Sequence, residues 1–245
     1  MIATNQKNNN QQTIASSIFA RGIGLHTGSQ VELNLQPASV DNGIKFIRVD
    51  KKNNNVIEAL WSNVSETLLS TTISNSYGLK ISTIEHLMSA LSGLHIDNIN
   101  IYINAHEVPI MDGSSRPFVE MIEKVGIKKQ NKKRKILNIK KSIEVSKNNS
   151  SVKIVPNNQF SIDFEIDFPS QLVSKQSCQL QLINGNYKTD IAAARTFGFE
   201  KDVNYLRSNG LALGGSLDNA VVVGENEILN KDGLRYTDEF VRHKI

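Results

Sequence analysis

Glu85 and His86 stand side by side in the string Ile81-Ser82-Thr83-Ile84-Glu85-His86-Leu87. They pair the residue types that a hydrolytic metal site needs: an imidazole to hold the ion, and an adjacent carboxylate, free of the metal, to take a proton from water. The same residues admit a structural reading. Ser82-Thr83-Ile84-Glu85 has the S-x-x-E form of a helix capping box, which would make Glu85 an N-terminal cap partner. A single helical histidine is also commonly a packed or surface residue, so both readings stand on these two residues alone. Five histidines are present, His26, His86, His95, His106 and His243, against one cysteine, Cys178. One cysteine permits neither an intramolecular disulfide nor a cysteine-rich zinc cluster, so any metal site must be built from imidazole and carboxylate.

The element that must carry Glu85 and His86 is a helix of about three turns, with Ile84, Leu87, Met88 and Leu91 on its apolar side and Gly93 as its stop. The face shared by Glu85 and His86 turns toward the small residues Ser89, Ala90 and Gly93, where another backbone or a substrate could approach closely. Before it, residues 13–57 alternate like an antiparallel meander, in VELNLQP and again from Ile44 to Val49. After it come a strand over 98–104, an ordered loop through Pro109 and Gly113, and a helix over 117–125 opened by Pro117. In the remainder, strands are expected over 136–145, 152–155 and 160–168, then LQLINGNY, a helix over 201–208, a strand over 220–223 and a final helix opening near Thr237. The order of elements repeats in outline, which suggests two α+β domains of similar design. The expected division is a disordered start, 1–12; a first domain, 13–127; a solvated basic linker, 128–135; and a second domain, 136–245.

The linker explains the charge. Six of the 28 basic residues lie in KKQNKKRK, and without them 22 face 24 acidic residues, so the net +4 is local. No aromatic residue interleaves the run, which argues against a nucleic-acid surface. No apolar run reaches the roughly 18 residues that span a bilayer, and the polar start has no signal-peptide core. With its single cysteine, the chain is expected in the cytoplasm.

The longer strings decide between the readings of Glu85. Gly22-Ile23-Gly24-Leu25-His26-Thr27-Gly28, the Glu85-His86 string, Ile110-Met111-Asp112-Gly113-Ser114, Ala194-Arg195-Thr196-Phe197-Gly198-Phe199, Gly214-Gly215-Ser216, Asp232-Gly233-Leu234-Arg235 and Phe240-Val241-Arg242-His243-Lys244 occur in one order along the chain. In this the sequence resembles the UDP-3-O-acyl-N-acetylglucosamine deacetylase family of bacterial lipid A synthesis, from about Thr13 to Ile245. The resemblance implies an α+β fold of two similar α/β-sandwich domains, each a mostly antiparallel sheet with helices, and an active site at their interface. It implies Zn2+ as cofactor, held by His86 and His243, with Glu85 as general base and Thr196 as the hydroxyl that stabilises the oxyanion. It further implies the small molecule UDP-3-O-acyl-N-acetylglucosamine as substrate, in a Gram-negative-type bacterium. Leu69 and Ser70 match a lip beside the metal, and Lys244 matches a cation near the sugar and diphosphate. Phe197, Phe199, Val203, Leu211, Gly215, Ser216 and Ala220 fall in the stretch that forms the family's acyl passage, though such a run also suits ordinary core. His26 reads equally as a near-site loop or a tight turn; His95 and His106 read as structural or surface, and Asp112 as a turn residue.

One departure bears on activity. The family's third zinc ligand, an Asp four residues after the second His, would fall at position 247, and its general-acid His lies further on. Two histidines alone are expected to hold zinc weakly and to support little turnover. The alternative expectation is a catalytically silent remnant that binds a nucleotide sugar or a partner.

Overall fold

The computed structural model describes residues 10–182 and 185–245. In chain order the first half comprises β1 (Asn10–Ile14), β2 (Ile18–Ile23), β3 (Gln30–Pro37), β4 (Ile44–Arg48), β5 (Val56–Glu58), β6 (Val64–Glu66), β7 (Thr72–Ser74), β8 (Lys80–Ile81), α1 (Glu85–Gly93), β9 (Ile99–Ile103), α2 (Arg116–Val125) and β10 (Ile127–Lys133). Five strands join in the order β2-β3-β9-β4-β5, antiparallel except where β9 runs parallel to β4. Alternation in sequence becomes one buried face: Leu33, Leu35, Phe46, Ile99, Ile101 and Ile103 are all fully buried. Helices α1 and α2 cover that face through Leu87, Leu91, Phe118 and Ile122 in the same core. Pro117 suits the first turn of α2, and Gly126, at φ 81°, ends it in a backbone region open chiefly to glycine.

The second half comprises β11 (Ile143–Lys147), β12 (Ser150–Ile154), β13 (Ser161–Asp167), β14 (Lys175–Gln181), α3 (Tyr187–Asp190), β15 (Phe197–Phe199), α4 (Glu200–Ser208), β16 (Val221–Val223) and α5 (Glu239–Lys244). Two antiparallel hairpins, β11-β12 and β13-β14, are followed by β15 and β16, which pair in parallel across α4. Here a smaller core gathers Ile166, Val173, Val221, Val223, Phe240 and Val241. The fold is α+β, with antiparallel pairing dominant.

The two halves meet backbone to backbone. Thr196 N donates to Gly113 O (2.7 Å), Leu213 N to His26 O (3.1 Å) and Gly214 N to Leu25 O (3.0 Å). A Cβ at Gly113 would lie 2.1 Å from Asn219 O, and one at Gly214 would lie 2.2 Å from Gly24 O. Only glycine permits either approach. Tyr187 reaches across to α1, where its ring fills the space a side chain at Gly93 would need. The hydroxyl of Tyr187 shares hydrogen bonds of 2.7 Å with both Ser89 and Ser115.

Several local expectations change. The basic run taken for a linker is largely β10, paired antiparallel with β1. Residues 10–12, expected to be disordered, belong to that pair; residues 1–9 lie outside the described residues. Polar sequence hid these strands because their contacts are polar. Gln11 and Gln12 are buried and bonded to Asp41 and Asp97, while Lys132 and Arg134 pair with the same two carboxylates. The strand expected over 136–145 starts only at Ile143. In LQLINGNY the strand ends at Gln181, and Ile183 and Asn184 lie outside the described residues.

Candidate active site

Helix α1 begins at Glu85, not at the expected cap. Its N-cap is Ile84, with no side-chain cap hydrogen bond. Glu85 Oε2 instead accepts from the backbone N–H of Thr71 at 2.9 Å, which ties the carboxylate to the Leu69–Thr71 segment. The capping-box reading therefore fails. Just before α1, Thr83 takes φ 54°, a strained conformation for a β-branched residue, and its hydroxyl donates to the fully buried Glu107 (3.0 Å). Glu107 also accepts from the backbone N–H groups of His26 (2.8 Å) and Thr27 (2.9 Å). One buried carboxylate thus fixes both the entrance to α1 and the Gly24–Gly28 loop.

His86 is buried on the first turn of α1 and meets His243 of α5 edge to face, with ring centroids 5.1 Å apart. His243 Nδ1 lies 3.2 Å from Ala194 O, so the Nδ1–H tautomer donates to that carbonyl and leaves Nε2 free. His86 Nδ1 is buried with no hydrogen-bond partner among the described residues. Burial lowers the His86 pKa to about 4, against a smaller opposing effect of Asp112. His243 falls to about 3, through burial and then the neighbouring His86, despite the carbonyl of Ala194. Both rings are therefore neutral at pH 7, the form that can ligate a metal. Two converging neutral imidazoles with an unpartnered buried nitrogen fit a divalent ion. Catalytic zinc sites usually have three protein ligands, of which these two rings would be two. Among the described residues there is no cluster of three or more His, Cys, Asp or Glu side chains placed to hold one.

Leu69, Ser70, Glu85, His86, Thr196, Phe197, His243 and Lys244 line one cavity of about 450 Å³. Burial raises the Glu85 pKa above the usual carboxylate range, opposed by the Thr71 N–H and by Lys244. Burial also pulls Lys244 below the usual lysine range, opposed by Glu85, and its Nζ sits 5.4 Å from the Phe197 ring centroid. Thr196 is pinned on both sides of its backbone, by Gly113 O and by Val221 N (2.8 Å). Its backbone is thereby held in place at the cavity wall.

Not every residue singled out in the sequence converges here. Phe199 packs beside Phe197 and Phe168 on the second core. Val203, on α4, and Leu211, Gly215, Ser216 and Ala220, beyond it, do not line this cavity. His26 lies outside it too, in the Glu107-bound loop, while His95 and His106 are exposed. Asp112 forms its expected turn, accepting from Ser114 N (3.0 Å), but also holds Arg235 of the second half at 2.9 Å. Glu107, Tyr187 and the buried pair of Arg195 with Glu239 escaped the sequence reading. The one available signal was the presence of charged residues inside otherwise apolar strings.

A buried carboxylate, two buried neutral imidazoles and a threonine line one cavity, a set of groups that suits a hydrolase. The chain belongs to the UDP-3-O-acyl N-acetylglycosamine deacetylase family, which it matches over residues 11–245. It is 46% identical over 235 residues to the UDP-3-O-acyl-N-acetylglucosamine deacetylase of Syntrophus aciditrophicus, covering 96% of this chain and 74% of that protein. The enzymes of the same name from Shewanella violacea and Shewanella pealeana are each 46% identical over 237 residues, covering 96% of this chain and 78% of theirs.

Proposed function

We propose that this chain hydrolyses the acetamide of UDP-3-O-acyl-N-acetylglucosamine in lipid A, and hence lipopolysaccharide, biosynthesis, using Zn2+ held by His86 and His243. Water adds to the acetyl carbon, the C–N bond breaks, and acetate and the free sugar amine are the products. The observation that carries the reading is the meeting of His86 and His243 over one cavity with Glu85 and Thr196, in a member of this family. Bound zinc supplies Lewis acidity toward a carbonyl oxygen and lowers the pKa of water.

Glu85 takes the proton from the attacking water. Its buried setting raises its basicity toward that task while the Thr71 N–H keeps it aimed. Thr196 donates its hydroxyl to the acetyl oxygen as negative charge develops there; its doubly anchored backbone makes it a preorganised donor. Lys244, a flexible point charge at the cavity, attracts the diphosphate. Leu69 and Ser70 form the lip over the acetamide, and Phe197 the apolar wall where the acyl chain enters. The chain then runs past Phe199 along the β15-α4-β16 unit, by Val203, Leu211, Gly215, Ser216 and Ala220. Helix α4 buries none of its side chains completely, as suits an element with an apolar side still to be covered. No helix among the described residues is long and apolar enough to cross a membrane. A nucleotide-sugar substrate and a lone free cysteine fit a cytoplasmic enzyme.

Acetate release from UDP-3-O-acyl-N-acetylglucosamine, followed by mass spectrometry with added zinc, tests the reading. Wild-type turnover, slow if two histidines alone hold the zinc, that disappears in Glu85→Ala is the expected result. Substrate binding without acetate release by the zinc-treated wild type would overturn the enzymatic reading and favour a binding module.

A further inference from the structure

Glu239 is completely buried, yet it carries a carboxylate and opens α5, the helix whose next turn bears His243. Its partner is Arg195, itself buried, which lies between Ala194 and Thr196. Arg195 Nε donates to Glu239 Oε1 (2.8 Å) and Nη2 to Oε2 (3.0 Å), a two-toothed fork. The Arg195 backbone N–H adds a third bond to Oε1 (2.9 Å), and the Arg235 backbone N–H a fourth to Oε2 (2.6 Å). Arg195 Nη2 also donates to Gly233 O at 2.7 Å. Every strong hydrogen-bonding position of the carboxylate is thus used, and each bond joins α5 either to the 194–196 segment or to the 233–235 turn before it.

A buried ion pair is weak evidence for a stabilising role, because desolvation offsets much of the attraction, and an apolar pair of similar volume often serves as well. Placement accounts for it better. Residue 194 supplies the carbonyl that orients His243, residue 196 supplies the cavity hydroxyl, and residue 195, between them, is clamped to the helix carrying His243. We infer that Arg195 and Glu239 are positioning residues that fix the His243 ring, in one tautomer, relative to Thr196. This rests on the reading of His243 as a zinc ligand, and deepens it. Support behind a ligating histidine is generally worth about 10- to 100-fold in metal affinity.

The test uses Arg195→Met/Glu239→Leu, which removes the fork without leaving a buried charge, with three readouts: urea denaturation, zinc affinity by competition with a chelating dye, and the side-chain 15N shifts of His243 in the metal-free protein. The expected result is a folded protein of somewhat lower stability, since the backbone N–H groups of Arg195 and Arg235 lose their acceptor, with zinc binding weakened by about 10-fold or more and a mixture of His243 tautomers where the wild type shows Nδ1–H alone. Wild-type zinc affinity with an unchanged tautomer in the folded variant would overturn the inference. Should the double variant not fold, Arg195→Lys, which keeps the charge but loses the fork, carries the same readouts. If the wild type itself takes no zinc, the metal reading fails, while the tautomer still decides what the pair does.

Discussion

Acidification should destabilise the metal-free protein through its histidine pair, and the size of the effect can be worked from His86. Its folded pKa is about 4 against an ordinary 6.5, so between these values the unfolded chain binds a proton that the folded chain refuses. Stability then rises with pH, and the contribution is fully present only above about 6.5. Linkage over the interval from pH 7 to pH 5 gives a loss of about 2 kcal/mol from His86 alone, approaching ~3 kcal/mol near pH 4. His243 acts in the same direction, but its depression is partly the effect of His86, so the two do not add. Urea denaturation at pH 7, 6 and 5 with a chelator present, for wild type and His86→Gln, isolates the first contribution. The variant should lose about 2 kcal/mol less than wild type over that interval. Parallel pH dependence in the two proteins would refute the reasoning, because it would mean that His86 protonates as readily folded as unfolded.

Glu85→Gln keeps the shape of the base and removes its proton affinity; deacetylation should fall by about 10²- to 10⁴-fold with zinc content unchanged, measured by acetate release and metal analysis. Thr196→Val should lower kcat by about 10²- to 10³-fold with little change in KM, the mark of a donor used mainly in the transition state. Gly113→Ala should destabilise the fold by ~1–3 kcal/mol in urea denaturation, since the new methyl would meet Asn219 O and the backbone at φ 84° disfavours a side chain.

How far the site was legible in the sequence depended on whether its parts were local. Glu85 and His86 stood out because hydrolytic chemistry needs those types adjacent, but only the Thr71 contact shows that Glu85 is not a cap. That His243 lies against His86, 157 positions earlier, was carried by the family's strings and by no periodicity. The meander and both helices of the first half follow from alternation and from Pro117 and Gly126, since apolar burial writes its period into the sequence. β1 and β10 left no such trace, because glutamine, lysine and arginine satisfy that pair through side-chain hydrogen bonds. Arg195 and Glu239 were invisible for a related reason. A charged residue reads as surface until its partner, 44 positions away, is seen to be buried with it.

The glycine contacts between the halves also limit how the molecule can move. A cavity between two halves invites the image of a hinge, yet pivoting these halves apart would break the bonds from Thr196 to Gly113, from Leu213 to His26 and from Gly214 to Leu25 together. Little side-chain cushion at those points could absorb a slide. At the cavity itself the bordering Thr67–Leu69 stretch is exposed, with Leu69 at φ 59°, and is not part of those contacts. The expected signature is a single cooperative unfolding transition for the two halves together, which urea denaturation followed by two probes would show.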